Sequence, residues 1–418
     1  DALSRVTQSK DPANKQTDFT FDATGNVTQV KDALNGITAA VYEAGRIERQ
    51  PTSLTDANSH GTSFGYDILG RLTSITNAVS QTKGFIYDKK GSPVTFTDAK
   101  GQAFTFDYDQ MDRLITKHLP EGAVSYEYDV AGNVKRITNF NGSVLQMSYD
   151  SLNRVVENVQ ILPGGYSATI GYSYDASSNR TAMTTPWGSF GYAYDQLDRL
   201  TSIINPQGKV FTFAYDALGR RTKLTRPNGI ETTYAYDVSG QLTQIVHRNT
   251  LSDTAVAFAN YGYDAAGNRI SMEDMTGAHA YAYDDLHRLV SATHPPGSNV
   301  ATKNETFSYD AAGSRLADAH DTGYTYDAVN RLSQNSGFSF SYDANGNRIS
   351  KVETSANRTT ALAYNSENRL IRTDLPDGTS SDYKYDASGR RIEKSTGTAL
   401  APTVTRFIYD GADILATL

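Results

Sequence analysis

The chain has 418 residues, no cysteine and a formal net charge of −7 at pH 7, from 39 basic and 46 acidic residues. The lack of cysteine excludes disulfides and cysteine-rich metal sites, and the even spread of charge gives no basic patch that would predict a nucleic-acid partner. No stretch of the sequence approaches the roughly 18 consecutive apolar residues that a membrane-spanning helix needs.

A short motif recurs along the whole sequence. It consists of a Tyr-Asp pair, two small residues, Gly or a substitute for it, and then Asn or Arg, as in Tyr263-Asp264-Ala265-Ala266-Gly267-Asn268-Arg269-Ile270. Most copies begin about 21 residues after the previous one, and a fixed period of this size predicts stacked copies of one small unit. The nineteen copies begin at Phe21, Tyr42, Tyr66, Tyr87, Tyr108, Tyr128, Tyr149, Tyr174, Tyr194, Tyr215, Tyr236, Tyr263, Tyr283, Tyr309, Tyr326, Tyr342, Tyr364, Tyr385 and Tyr409.

Each copy predicts one β-hairpin. A second aromatic residue often lies two positions earlier, as Phe64 does before Tyr66, which places both rings on one face of a strand. Four residues after the Tyr stands Gly, Asn or Asp (Asp413 in the last copy), with Ser178 and His287 as exceptions, and Gly, Asn and Asp enter the left-handed backbone region at low energy. Such a residue predicts a tight turn closed by a bulge, with the Asp accepting a hydrogen bond from a turn N–H. Apolar residues then return, as at Leu72 and Ile75, so the unit reads as strand, tight turn, strand and looser turn.

The copies also alternate. A copy with Asn directly after the turn position is followed by a copy with Arg there, as in Asn133 then Arg154 and Asn268 then Arg288. We expect a superperiod of two hairpins in which alternate turns meet different neighbours.

The repeated Tyr-Asp-x-x-Gly-Arg-Leu and Tyr-Asp-x-x-Gly-Asn-Arg motifs resemble the YD-repeat family, also called RHS repeats, and this resemblance covers essentially all 418 residues. The family includes bacterial RHS polymorphic toxins, the B and C components of Tc toxins, and teneurins. The resemblance implies an all-β fold in which tandem antiparallel hairpins form one long curved, spiralling sheet that is part of a hollow shell. It also implies partners, namely a C-terminal toxin cargo and the remaining shell of a parent protein.

The sequence predicts a single continuous array over residues 1–418. The chain begins inside a copy, because Asp1-Ala2-Leu3-Ser4-Arg5-Val6 reads as a repeat without its leading Tyr, and no protease or toxin domain follows Tyr409. The resemblance implies a secreted or cell-surface-delivered protein, with a bacterial source favoured.

We expect the Tyr, Asp and turn Gly positions to act by building the wall of the shell, without a catalytic residue, a cofactor or a metal. The representative positions are Tyr66, Asp67, Gly70, Tyr128, Asp129, Gly132, Tyr215, Asp216, Gly219, Tyr263, Asp264, Gly267, Tyr342, Asp343, Gly346, Tyr385, Asp386 and Gly389.

Two other functions stay open at this point. An adhesive or carbohydrate-binding module would use Tyr rings on the exposed sheet face to bind glycans or a cell-surface protein, although the same spacing favours a ladder of aromatic rings between hairpins. An enzyme would need one irregular repeat that hosts a pocket, and the long insertions before Tyr263 and Tyr309 are the best places for it.

Overall fold

The computed structural model describes residues 1–43, 50–296, 304–398 and 401–418, which contain forty β-strands. The predicted all-β fold of tandem hairpins is therefore confirmed. Within these ranges no helix is long and apolar enough to cross a membrane.

Strands β1 to β28 belong to one sheet. Their bounds are β1 Gln8–Lys10, β2 Gln16–Phe21, β3 Val27–Lys31, β4 Ile37–Tyr42, β5 Pro51–Thr55, β6 Gly61–Tyr66, β7 Leu72–Thr76, β8 Thr82–Tyr87, β9 Pro93–Thr97, β10 Ala103–Tyr108, β11 Leu114–Leu119, β12 Gly122–Tyr128, β13 Val134–Thr138, β14 Val144–Tyr149, β15 Val155–Ile161, β16 Ser167–Tyr174, β17 Arg180–Thr185, β18 Gly188–Tyr194, β19 Leu200–Ile204, β20 Val210–Tyr215, β21 Arg221–Thr225, β22 Ile230–Tyr236, β23 Leu242–Asn249, β24 Thr254–Tyr263, β25 Arg269–Asp274, β26 Gly277–Tyr283, β27 Leu289–Thr293 and β28 Glu305–Thr306.

The remaining strands form a two-stranded and a ten-stranded sheet. Their bounds are β29 Ser308–Tyr309, β30 Arg315–Ala317, β31 Thr325–Tyr326, β32 Leu332–Gln334, β33 Phe338–Tyr342, β34 Arg348–Glu353, β35 Arg358–Tyr364, β36 Leu370–Asp374, β37 Ser380–Tyr385, β38 Arg391–Thr398, β39 Ala401–Asp410 and β40 Asp413–Thr417.

Where the structure describes the turn and the register, a motif copy joins two antiparallel strands through a turn and a bulge. In the β6–β7 pair, Phe64 lies opposite Ile75, and the register then shifts so that Tyr66 lies opposite Leu72. We call the turn that begins at the Asp of the motif a YD turn, and the turn that leads to the next hairpin a return turn. Because the strands alternate in direction, YD turns lie at one edge of the ribbon (the YD edge) and return turns at the other (the return edge).

The chain divides into two compact units. Unit 1 comprises Asp1–Thr20, Gln29–Ile37 and Gly171–His320, and unit 2 comprises Phe21–Thr28, Thr38–Ile170 and Asp321–Leu418. Each unit contains YD turns and return turns of its own.

Few side chains are fully buried, as expected for a thin sheet. In unit 2 a small core of Phe104, Leu119 and Val124 packs against Phe96 and other half-buried apolar residues. The ring centroids of Phe85 and Phe96, and of Phe96 and Phe104, lie 5.3 Å apart, which is a short aromatic ladder on one face of the sheet.

Two sequence-based expectations differ from the structure. Asp413 does not take the left-handed turn position, because the turn of the last motif is tighter and Gly411 has the positive φ of 60°. The insertion before Tyr263, considered as the place of an irregular repeat, is regular, since it extends the strands of the β23–β24 hairpin as far as Asn249 and Thr254. Residues 297–303, in the insertion before Tyr309, lie outside the described ranges.

Candidate functional site

Each YD turn is organised by the carboxylate of its Asp. In the turn that begins at Asp67, Oδ1 accepts hydrogen bonds from the backbone N–H groups of Leu69 and Arg71, both at 2.9 Å. The N–H of Gly70 donates to the Asp67 carbonyl at 3.0 Å, and Gly70 has a φ of 76°. The carboxylate therefore supplies acceptors for turn N–H groups that the ladder leaves without partners.

The representative motif positions take the same arrangement in six separate turns, and they do not converge on one pocket. In each of the six, the Asp Oδ1 accepts from the backbone N–H four residues later at 2.8–2.9 Å, and the Gly has a φ between 76° and 90°. The six turns are Asp67–Gly70, Asp129–Gly132, Asp216–Gly219, Asp264–Gly267, Asp343–Gly346 and Asp386–Gly389.

The Tyr of the motif connects its own hairpin to the preceding one. The Tyr87 hydroxyl donates to the carbonyl of Leu72 at 2.8 Å, the first residue after the preceding YD turn. Within the described residues at least fourteen motif tyrosines make the same bond, including all six representative ones. Burial raises the pKa of the Tyr128 phenol, which keeps it protonated as a donor. The phenol thus satisfies a carbonyl beyond the reach of the regular ladder.

The Arg that follows a YD turn connects that turn to the next one. Arg71 donates from Nε to Asp67 Oδ2 at 2.7 Å and from one terminal nitrogen to the carbonyl of Asp88 at 2.9 Å. Its guanidinium carbon also lies 4.9 Å from the centroid of the Tyr87 ring, within the range of a cation–π contact. The motif tyrosines therefore stack mainly with arginine, which replaces the expected ladder of tyrosine rings at the YD edge.

An Asn in the same position makes a different connection. Asn133 donates from Nδ2 to Oδ1 of Asn153, the left-handed residue of the next YD turn, at 2.8 Å. Three other Asn copies reach the polar side chain of the next left-handed residue in the same way. These pairs are Asn179 with Asp198, Asn268 with His287 and Asn347 with Asn368.

The two connections explain the alternation of the copies. After an Asn, the next left-handed residue carries a polar side chain that accepts the amide. After an Arg it is usually Gly, and a Cβ added at Gly240 would lie 3.8 Å from the Arg220 guanidinium, in van der Waals contact. The expectation that alternate turns meet different neighbours is therefore confirmed.

In unit 2 the return edge of earlier hairpins contacts the YD edge of later ones. Asn345 donates from Nδ2 to Oδ2 of Asp98 at 2.6 Å, across 247 residues of sequence. The Asp98 side chain belongs to a return turn and is only 2% exposed. A buried carboxylate needs such partners, because leaving it without a hydrogen bond costs free energy.

Further contacts of this kind follow along the same edges. Ser366 donates from its backbone N–H and its hydroxyl to the two oxygens of the Glu121 carboxylate, at 2.6 and 2.5 Å. Asn141 donates from Nδ2 to the carbonyl of Tyr385 at 2.7 Å. Other contacts of this kind join Asn330 to Asp56 and Asn58, Asn139 to Tyr385, Gln160 to Tyr409, and Lys117 to Glu367.

Unit 1 shows the same relation once. His287 of a YD turn lies 2.6 Å from Asp11 of a return turn, between Nε2 and Oδ2. In the same two turns the Lys15 ammonium pairs with Asp285 at 2.5 Å. Both units therefore contain a contact between a return edge and a YD edge.

Hydrogen bonding sets the charge state of the turn carboxylates. The Asn133 amide holds the pKa of the Asp129 carboxyl below its usual value, and the Arg154 guanidinium does the same for Asp150. The backbone N–H of Asn26, with the Thr24 hydroxyl, lowers the pKa of Asp22 to about 2. These carboxylates are therefore ionised at neutral pH, as acceptors and not as acids.

In the described ranges, no group of three or more His, Asp or Glu residues is placed to hold a metal ion. The tightest histidine pair, in unit 1, has Nδ1 of the buried His279 at 2.7 Å from Nδ1 of His294. Asp274 lies 3.4 Å from the other ring nitrogen of His279.

Two groups of functional positions went unrecognised in the sequence. The connecting role of Arg and Asn after the turn was visible only as an alternation of residue types. The return-turn residues Asp98, Glu121 and Asn141 follow no motif, and their partners lie about 250 residues away in the sequence.

Comparison with known proteins gives two family matches. The profile of the teneurin YD-shell matches residues 40–141 and 268–414, which is more than half of the chain. The profile of the RHS repeat matches residues 1–37 and 194–231.

One curated relative is the double-stranded DNA deaminase toxin A of Burkholderia cenocepacia (strain H111), with 33% identity over 162 residues. The match covers 36% of this chain and 11% of that protein. The chain therefore spans only a small part of the length of this relative.

Solved structures of Tc toxins share the fold. TcdB2-TccC3 without its hypervariable C-terminal region matches with a TM-score of 0.68 and 16% identity, over 95% of this chain and 26% of that one. The TcdB2-TccC3-Cdc42 structure gives 0.67 and 15%, over 96% and 27%. The Tc holotoxin pore of Photorhabdus luminescens gives 0.65 and 15%, over 96% and 28%.

Proposed function

Because this chain belongs to the teneurin YD-shell family, we propose that it forms part of the wall of a shell that encloses and shields a toxin polypeptide. The mechanism is confinement. A wall of hydrogen-bonded strands excludes other proteins from the cargo and keeps the cargo from acting before delivery. The nineteen motif copies act in this proposal as one continuous array over residues 1–418.

The observation that carries this proposal is the contact between the return edge and the YD edge in unit 2. The turns along each edge of the ribbon carry polar groups that need hydrogen-bond partners. In unit 2, side chains such as Glu121 and Asn141 bond to the YD turns of later hairpins. These side-chain bonds join one row of hairpins to another along the direction of the strands, which is what a wall requires.

The nature of the cargo is proposed from the relatives. A toxin is named in the curated relative, and the solved fold neighbours are parts of a Tc toxin. We propose that a toxin segment and the rest of the shell are the partners of this chain in its parent protein. Delivery would then take place outside the producing cell, which we propose to be bacterial.

We propose that residues 1–418 have no catalytic activity of their own. The motif side chains are used inside the wall, since Asp67 is bonded to its turn and Tyr87 to the preceding hairpin. The same contacts disfavour an adhesive or glycan-binding role, because an arginine already covers the Tyr87 ring. The deaminase activity named in the curated relative is not assigned to this chain.

Small-angle X-ray scattering on the purified chain tests the wall proposal. A solid globule of 418 residues would have a radius of gyration of about 22 Å. We expect a clearly larger value, with pair distances weighted towards the periphery. A globular protein of equal mass is the control, and a solid profile at about 22 Å would contradict the proposal.

A deamination assay on double-stranded DNA tests the absence of catalysis. We expect no conversion by the purified chain under conditions in which a known deaminase is active. Turnover that persists through purification would overturn the non-enzymatic assignment and leave the wall proposal untouched.

A further inference from the structure

Two covered YD turns of unit 2 carry small or polar tips, where the tip is the pair of residues directly after the first residue of the turn, and a third covered turn carries the half-buried Val329. The tips Ala344–Asn345 and Ser366–Glu367 are half-buried or buried. They are covered by return turns, through the bonds of Asn345 to Asp98 and of Ser366 to Glu121. Small tips allow the return edge to approach closely.

The earlier YD turns carry large apolar tips that nothing in the described structure covers. Five such side chains in unit 2 and three in unit 1 are between 62% and 109% exposed. We call them the apolar tips. They are Ile68, Leu69, Met111, Val130 and Leu152 in unit 2, and Leu197, Leu218 and Val238 in unit 1.

The hairpin itself does not require apolar residues at these tips. Leu69 contributes only its backbone N–H to the Asp67 carboxylate, and Ala131 does the same for Asp129. Lys89 stands at the tip of the intervening turn without disturbing its geometry. A row of large exposed apolar side chains on a regular scaffold indicates an interaction surface.

Adjacent hairpins are two strands apart, so the tips follow one another at intervals of roughly 10 Å. The docking partner must therefore present apolar groups along a line at a similar spacing. The turns of a return edge also follow one another at roughly 10 Å, since successive return turns are two strands apart as well.

Uncovered return turns with large apolar residues exist in unit 1. Leu251 is 91% exposed, Met275 is 62% exposed and Trp187 is 39% exposed, each at or beside the apex of its turn. The return turns that cover later YD turns in unit 2 make polar contacts, through Asp98 and Glu121, and an apolar one, because the tip residue Ala387 packs against the core that contains Leu119. An apolar contact between a return edge and a YD tip therefore already occurs within unit 2.

We propose that the apolar tips dock the apolar return turns of a second copy of this chain. The contact continues the relation of return edge to YD edge that both units already make internally. It joins two different surfaces, so the association is head-to-tail and each copy keeps one free surface of each kind. The proposal does not depend on a toxin cargo.

Sedimentation velocity and multi-angle light scattering on the full chain test this proposal, from about 1 to 200 μM. We expect a mass that rises with concentration beyond that of a dimer. The triple variant Met111→Asp, Val130→Asp and Leu152→Asp should weaken association at least about tenfold, because each tip loses its apolar burial. The matched control is Lys89→Asp, a tip of the same row without an apolar side chain, which should leave association unchanged.

A second variant, Leu251→Asp with Met275→Asp, alters the opposite surface and should weaken association to a similar degree. A mixture of the two variants should form one-to-one dimers and nothing larger, because each then supplies the one surface that its partner lacks. Circular dichroism confirms that both variants keep their strand content.

Several outcomes overturn the proposal. A wild-type chain that stays monomeric at 200 μM excludes docking of a second copy. Association that neither variant weakens, or that the lysine control weakens equally, places the contact elsewhere. A mixture that stays monomeric shows that the two surfaces do not bind each other.

Discussion

Asn133 donates a hydrogen bond of 2.8 Å to Asn153, twenty residues later, and Asn153 holds the left-handed position of its own turn with a φ of 59°. The amide of Asn133 thus favours a residue with a hydrogen-bond acceptor in its side chain at the left-handed position of the next turn. Where Arg replaces Asn, the next left-handed residue is usually Gly, as at Gly240 after Arg220, where an added Cβ would lie 3.8 Å from the guanidinium.

This relation predicts coupling between neighbouring turns. Asn133→Ala and Asn153→Gly should each remove the same bond, so the double variant should lose about 1 kcal/mol less than the sum of the single variants. Because long repeat arrays depart from two-state unfolding, local opening free energies from hydrogen exchange at the two turns are the quantity to compare. Additive effects would show that the bond contributes nothing.

Gly267→Val should destabilise its turn by roughly 1–2 kcal/mol, because Val enters the left-handed region poorly. Gly267 has a φ of 88°, and Gln241 lies 3.1 Å from the position of an added Cβ. The matched control is Ala265→Val, an exposed tip position in the same turn. Since repeats contact mainly their neighbours, hydrogen-exchange protection should fall locally, and a uniform loss along the chain would contradict this.

Tyr385→Phe should weaken the joint between two hairpins by about 0.5–1.5 kcal/mol, the usual net contribution of one hydrogen bond. The Tyr385 hydroxyl donates to the Leu370 carbonyl at 2.7 Å. Tyr383→Phe is the control, because the Tyr383 ring contacts Arg391 and its hydroxyl makes no hydrogen bond within the described residues. Hydrogen exchange of the β36–β37 region measures both, and equal effects would argue against a specific role of the Tyr385 hydroxyl.

Asn345→Ala should open the contact between the two edges in unit 2. It leaves Oδ2 of the buried Asp98 without its 2.6 Å donor, at a cost of about 1–3 kcal/mol. Faster exchange should appear in the turns at Asp98 and at Asp343 together, although they are far apart in sequence. Ser388→Ala, at an exposed tip two turns later, serves as the control, and a change confined to the Asp343 turn would refute the coupling.

Acid should destabilise the array within a defined window. The pKa values of Asp22, Asp129 and Asp150 are lowered in the folded chain. Their contribution to stability is complete above the unfolded pKa of about 3.9 and is lost as the pH falls through the folded value. With Asp22 at about 2, stability followed by circular dichroism should be flat above about pH 5 and fall between about pH 4 and pH 2. A loss of stability that begins near pH 6 would contradict this prediction and would indicate that protonation of histidines destabilises the chain.

The local hairpin could be predicted from the sequence because its determinants lie within a few residues of one another. Tyr66, Asp67 and Gly70 fix strand, cap and turn through short-range geometry. The edge contacts could not be predicted, since the motif does not specify the residue types at Asp98 and Asn345, and these two residues meet only when the ribbon passes itself. Asp413 was assigned wrongly because spacing from Tyr409 was counted without weighing Gly411, which takes the left-handed position two residues earlier.

Each hairpin is completed by contacts with its successor in the chain. The Tyr hydroxyl of the successor donates back to a carbonyl of the hairpin, as Tyr87 does to Leu72, and the Arg of the hairpin donates forward to the successor's turn, as Arg71 does to Asp88. These contacts span about 15–20 residues, whereas the contacts between edges span 244 residues or more. During synthesis the hairpins should therefore fold one after another as they leave the ribosome. The contacts between the two edges should form only after about twelve repeats have been synthesised.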